Sequence, residues 1–194
     1  MAHDDAAVSQ RVRALETELE RRGVVDGAQL DEVLDRMLTR SGPAAGARVV
    51  ARAWTDPAFL QRLLDDGNSA IGELDLSMSH GPAPQELRVV ANTEDVHNVV
   101  VCTLCSCYPI SLLGPSPSWY KSEAYRSRVV RRPREVLAEF GLKVPAQSRI
   151  DVWDSSAETR YLVVPRRPAG TADASEQELA AMVTRAGMIG TASA

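Results

Sequence analysis

The sequence predicts an α+β protein, with a helical N-terminal arm and helical layer over residues 1–80. A layered α-β-β-α globular domain follows over residues 81–194 and carries all three cysteines in one loop. Two observations predict this. Apolar residues upstream of Gly67 recur at helical spacing. Beyond the Gly81-Pro82-Ala83-Pro84 break, alternating and continuous apolar runs typical of strands are interleaved with further helical patterns.

In the first helix Val8, Val12, Leu15 and Leu19 share one side, while Glu16, Glu18, Glu20 and Arg21 take the others. A second begins at Asp26, with Gln29 placed as in a capping box and Leu30, Val33, Leu34, Met37 and Leu38 on one face, and stops near Ser41-Gly42-Pro43. A third spans Pro43 to Trp54. A fourth starts with Asp56 as cap and Pro57 in its first turn, and ends at Asp65-Asp66-Gly67. The narrow, highly charged first two helices suit an arm embracing another chain, or equally a layer over this chain's own core.

Strands are expected where Leu87, Val89 and Ala91 alternate and in the continuous run Val96 to Val101, from whose end the cysteine loop departs. Pro133 opens and Gly141 closes a helix bearing Val136, Leu137 and Phe140, and strands follow near Ile150 to Trp153 and Arg160 to Val164. After a turn-rich stretch, Ser175 and Glu178 form a capping box ahead of Leu179, Met182 and Val183.

With 44% hydrophobic and 25% charged residues and a net charge of −4, the chain fits one ordinary soluble domain plus appendages. Met1 to Arg13 contains His3, Asp4 and Asp5 and lacks the features of a signal peptide, and no apolar run approaches the roughly 20 residues of a membrane span. Thiols without usable disulfide pairs suit a reducing compartment, so the cytoplasm is expected, with no membrane or nucleic-acid partner.

The cysteines stand at Cys102-Thr103-Leu104-Cys105-Ser106-Cys107. Bridging neighbouring pairs would close a tiny strained ring and strand the third thiol, so one metal ion is the better account of their convergence. Cys107 is only two residues beyond Cys105, which brings the backbone amides of Ser106 and Cys107 beside the metal. Deprotonating an amide demands a strongly polarising trivalent ion. Three sulfurs and two nitrogens would fill five octahedral positions and leave the sixth for water or substrate, as a catalytic site requires. Two alternatives stay open: structural zinc completed by His97 or His80, and a redox thiol cluster.

The run Val101 to Pro109 resembles the signature of the nitrile hydratase α subunit family. The similarity continues through Asn92-Thr93, Val96-His97-Asn98, Trp119-Tyr120-Lys121, Tyr125 to Val130, Pro133-Arg134, Ala157 to Tyr161, Pro165, Arg167 to Thr171 and Met188-Ile189-Gly190. Roughly residues 26 to 190 are covered.

The resemblance implies a low-spin metal held by the thiolates of Cys102, Cys105 and Cys107 and the amides of Ser106 and Cys107. Cys105 would be oxidised to sulfinate and Cys107 to sulfenate. Thr103 resembles the cobalt branch, so one non-corrin Co(III) per chain is expected, with iron less favoured. The implied reaction is a hydro-lyase step, hydration of a small-molecule nitrile to its amide, with the metal as Lewis acid and Cys105, Ser106 and Cys107 as the catalytic residues. The attacking oxygen would come from the Cys107 sulfenate or from water. A β subunit of one or two chains would supply arginines to the oxidised sulfurs, and an activator protein would insert cobalt.

Trp119, Tyr108 and Ile110 are the candidate pocket residues. Arg160 is the candidate organiser of the site, with Glu158, Asp151 and Asp154 as its possible ion partners. The basic run Lys121, Arg126, Arg128, Arg131, Arg132 and Arg134 is expected to support the site and subunit contacts. Ile110-Ser111 stands where many members have Trp-Pro, and Ala91 where many have glutamate. A missing tryptophan suggests room for a bulky heteroaromatic nitrile, such as the nucleoside toyocamycin. Two other function classes remain: the metal-bearing subunit of thiocyanate hydrolase and a zinc-stabilised interaction module.

Overall fold

A computed structural model describes residues 5–40, 42–78 and 85–194, and the side chains of these except residues 5 and 36–40. The Gly81 to Pro84 break and His80 lie outside the described residues. The chain forms two compact units, residues 1–40 and 41–194.

In the first unit, α1 runs Asp5–Arg21 and α2 Gly27–Arg40. Glu18 accepts from Arg21 and Arg22 in the last turn of α1, and Asp26 Oδ1 accepts from Gln29 N at the start of α2. The expected apolar residues Val8, Val12, Leu15, Leu30, Val33 and Leu34 remain exposed. Such a stripe needs cover from another surface.

The second unit spans Ser41–Ala194, and its first three helices belong to the core with the strands. Helix α3 (Pro43–Thr55) buries Val49, Val50 and Ala53, α4 (Pro57–Asp65) buries Phe59 and Leu63, and α5 (Gly67–Gly72) buries Ala70 and Ile71. The Asp56 carboxylate accepts from Ala58 N and Phe59 N at 3.0 Å, so the cap sits where the sequence places it.

All four expected strands form: β1 (Glu86–Ala91), β2 (Val96–Val101), β3 (Arg149–Asp154) and β4 (Thr159–Val164). They pair as two parallel ribbons, β1 with β4 and β2 with β3. The register aligns Glu86 with Thr159 and Val101 with Asp154. The ribbons meet through β2 and β4, with α4 and α5 against β1 on one outer side and α8 (Pro133–Glu139) against β3 on the other. This is the layered α-β-β-α order. Val99, Val100, Leu162 and Val163 are at most 1% exposed, so both faces of β2 and β4 are buried.

Parallel pairing requires a long crossover, and that between β2 and β3 holds the cysteine loop, α6 (Ile110–Leu113), a 3-10 turn (Ser118–Lys121), α7 (Glu123–Val129) and α8. The chain closes with α9 (Glu176–Met182) and α10 (Arg185–Ile189). The Ser175–Glu178 capping box is present in both directions. Ser175→Ala is expected to destabilise the unit by about 1 kcal/mol in chemical denaturation, with the fold unchanged.

Candidate metal centre

Residues Cys102 to Cys107 leave the carboxyl end of β2, beside the matching end of β3, a position where parallel sheets commonly present ligand sites. All three thiols are free, and their sulfurs lie within 4.8 Å of one another. Cys105 Sγ is 3.3 Å from Cys102 Sγ and 3.2 Å from Cys107 Sγ. Sulfurs at right angles around bonds of about 2.3 Å would be about 3.3 Å apart, against about 3.8 Å in a tetrahedron. The donor set therefore fits cis positions of an octahedron.

Sulfur is only half of the arrangement. The Cys105 N–H donates to Cys102 Sγ at 3.3 Å, and the backbone amides of Cys107 and Ser106 lie close enough to the Cys105 sulfur to favour its thiolate. Bonds from the Cys107 and Cys102 thiols, reinforced by these amides, pull the Cys105 thiol down to about 7. Burial and the bond to Cys105 push the Cys107 thiol up to about 12, against the opposing charge of Arg160. A neutral-pH thiolate at Cys105 gives an ion its first anchor, and the remaining protons leave on binding.

Three side chains outside the loop hold its backbone. Asp154, paired with Val101 across the ribbon, accepts from Thr103 N at 2.9 Å and from Thr103 Oγ1 at 2.5 Å. Tyr120 Oη donates to Cys107 O at 3.0 Å, and burial raises its pKa so that it stays a neutral donor. Arg126 Nη1 donates to Thr103 O at 3.2 Å and to Cys105 O at 3.5 Å. Asp154→Ala is expected to lower metal occupancy about 10- to 100-fold, the usual penalty for losing a residue that orients metal ligands. Elemental analysis of the purified protein reads it.

The aromatic residues divide by depth. Tyr108 is 4% exposed, edge-on to Tyr120 at 5.1 Å, with its hydroxyl buried and unpartnered. Trp119 is half-buried, packing on Tyr125 at 4.9 Å and Phe140 at 4.7 Å. Ile110 is exposed at the rim, as are Leu104, Cys105 and Ser106. The loop is thus open on its outer side.

Arg160 is 9% exposed, and its charge opposes the upward shift of the Cys107 thiol. Its partners differ from those expected. Nη1 donates to the carbonyls of Ser156 and Thr159, while Glu158 takes Ser156 Oγ, Asp151 takes Arg149 and Asp154 takes Thr103. His97 is likewise committed elsewhere. Its Nε2–H donates to Gly190 O at 2.7 Å and its Nδ1 accepts from the Asn92 amide at 3.3 Å. Burial lowers its pKa and keeps it neutral. It does not join the sulfurs: among the described residues the group able to hold an ion is Cys102, Cys105 and Cys107. In the basic run, Arg128 pairs with Glu139, Arg132 with Glu135, and Arg134 donates to the carbonyls of Val144, Pro145 and Ser148. These charges brace the crossover.

The model of the family described as nitrile hydratase, alpha chain, matches residues 6–192. The chain belongs to the nitrile hydratase alpha chain family, and so to a class of enzymes. It is 50% identical over 184 residues to the cobalt-containing nitrile hydratase subunit alpha of Pseudonocardia thermophila, covering 94% of this chain and 89% of that one. It is 46% identical over 159 residues to thiocyanate hydrolase subunit gamma of Thiobacillus thioparus, covering 78% and 65% respectively. Among solved structures, a double mutant of the iron-type nitrile hydratase from Comamonas testosteroni Ni1 superposes with a TM-score of 0.90 at 41% identity, covering 98% of this chain and 91% of that one. Family members similar to this chain thus include both cobalt and iron types. Among the described residues no helix is long and apolar enough to cross a membrane.

Proposed function

We propose that this chain is the metal-bearing subunit of a cobalt nitrile hydratase, converting a nitrile to its amide. The observation that carries the reading is the loop itself: three converging sulfurs, with the central Cys105 Sγ at octahedral cis spacing from each of the other two. Cys102, Cys105, Cys107 and those two amides would hold a low-spin Co(III). When bound, the ion supplies Lewis-acid polarisation of the nitrile. Thr103 and the cobalt-containing relatives support cobalt over iron. Buried Cys102 is the protected anchor. Exposed Cys105 and half-buried Cys107 are the two open to oxidation to sulfinate and sulfenate, the order the family resemblance implies. The Arg160 cation beside Cys107 favours an anionic sulfur there.

An open loop with anionic oxygens needs a cover bearing cationic donors. A β subunit supplying arginines fits that need, and the exposed stripe of α1 and α2 suits its embrace. Cobalt insertion by an activator protein, and a cytoplasmic setting that keeps the thiols reduced until loading, complete the proposal.

For the substrate we propose a bulky heteroaromatic nitrile, of which toyocamycin is one example. The support is Ile110, exposed and smaller than the tryptophan common there. Assay of the assembled enzyme on acrylonitrile, a cyano-substituted nucleoside and thiocyanate tests this. Efficient nucleoside hydration is expected, whereas turnover of acrylonitrile alone would sink the bulky-substrate proposal. Thiocyanate hydrolysis in preference to both would favour the second reading, which the relationship to the thiocyanate hydrolase subunit keeps in play.

A further inference from the structure

We propose that Arg126 is a positioning residue that sets the Cys105–Ser106 peptide plane so that the Ser106 nitrogen faces the metal. The inference deepens the cobalt reading and rests on it. Arg126 projects from α7, whose placement is fixed from both sides: Ser122 caps it by accepting from Tyr125 N, and Tyr125 Oη donates to Val100 O at 2.7 Å, tying the helix to the last turn of β2. From that platform the guanidinium reaches two carbonyls of the loop, Thr103 O and Cys105 O, with one Nη1.

The consequence follows from peptide planarity. In a trans peptide the carbonyl oxygen and the amide nitrogen's outer bond point to opposite sides of one plane. Holding Cys105 O toward α7 therefore turns the outer bond of the Ser106 nitrogen the other way, away from α7. The influence of the Ser106 amide on the Cys105 thiol agrees with that orientation. Asp154 and Tyr120 grip the two ends of the loop, at Thr103 and Cys107, and leave this central peptide unheld. Among the described residues, Arg126 is the side chain from outside the loop that bonds the Cys105 carbonyl.

Charge points the same way. Three thiolates and two amide nitrogens bring more negative charge than a trivalent ion removes. Part of that excess resides on the Cys105 carbonyl oxygen, which is conjugated to the Ser106 nitrogen. A guanidinium at that oxygen is matched to it, and the two N–H groups of its Nη1 serve both carbonyls from a planar, fixed geometry that a lysine ammonium does not reproduce. The Arg126 Nε is buried without a partner, a cost accepted where the Nη1 contacts matter.

The test uses the full chain produced with its partner subunit in cobalt medium, comparing wild type with Arg126→Gln, Arg126→Lys and Arg131→Gln. Arg131 is the control because it lies near Thr103 and Arg126 in the same surface depression, yet donates only within its own helix end, to Ser127 O. Cobalt per chain and the sulfur-to-cobalt absorption bands are the readouts, with the melting temperature of metal-free protein alongside. Arg126→Gln is expected to lose about tenfold or more in cobalt occupancy at unchanged melting temperature. Arg126→Lys is expected to load partly, with shifted bands, and Arg131→Gln to match wild type. If Arg126→Gln does not fold, the shifted bands of Arg126→Lys decide the matter, and unshifted bands overturn the assignment. Wild-type loading and bands in Arg126→Gln, or an equal loss in Arg131→Gln, also overturn it while leaving the cobalt reading intact. A wild-type chain without cobalt overturns both.

Discussion

Cys105→Ser protein is expected to emerge from cobalt-containing culture essentially metal-free and without turnover. Cys105 is the centre of the cluster, with its sulfur 3.3 Å from one neighbour and 3.2 Å from the other, and its thiol is lowered to about 7. Serine removes the soft donor and substitutes a hydroxyl that keeps its proton at neutral pH, so the lowered first anchor is lost with the sulfur. Removing a residue that merely orients ligands costs about 10- to 100-fold in affinity, and removing a ligand should exceed that. Elemental analysis and amide formation measure it. Retained stoichiometric metal with turnover within about tenfold of wild type would show that the cluster is not the catalytic centre.

Gly190→Ala is expected to be the most destabilising single-methyl change. Gly190 sits at φ 87° at the end of α10, where an L side chain is strained, and a Cβ there would lie 2.0 Å from Asn98 O. That carbonyl cannot retreat, because Asn98 is pinned in β2 by bonds from its N and Nδ2 to Asn92 Oδ1 and Ala91 O, and it accepts from Trp153 Nε1. Moving Gly190 instead would break the His97 bond to its carbonyl. A loss of about 3 kcal/mol or more is expected, about 10 °C in melting temperature for a domain of this size. Gly72→Ala, whose Cβ would meet open space, is the control and should melt like wild type. Equal melting for both variants would refute the claim that the α10 terminus locks β2.

The parts of this molecule legible in the sequence are those set by local pattern. The stripes of α1 to α4, the caps at Asp56 and Ser175, the four strands and the three converging thiols each depend on residues a few positions apart. The short helices α5, α6, α7 and α10 are not legible, whereas the equally short α8 and α9 are, because Pro133, Gly141 and the Ser175–Glu178 box mark their ends. Strand pairing is hidden as well. Nothing near Thr103 signals that Val101 aligns with Asp154, so Asp154 read as a partner for Arg160 rather than as the anchor of the loop. Arg126 lay in plain view within a basic run, but only the placement of α7 separates it from its surface neighbours.

The most direct test of the central claim is one mass and metal determination on this chain, purified from its assembled complex. The account predicts one cobalt per chain, with the tryptic segment bearing two added oxygens on Cys105 and one on Cys107. Stoichiometric zinc with three unmodified thiols, from cells supplied with cobalt and the activator, would contradict it.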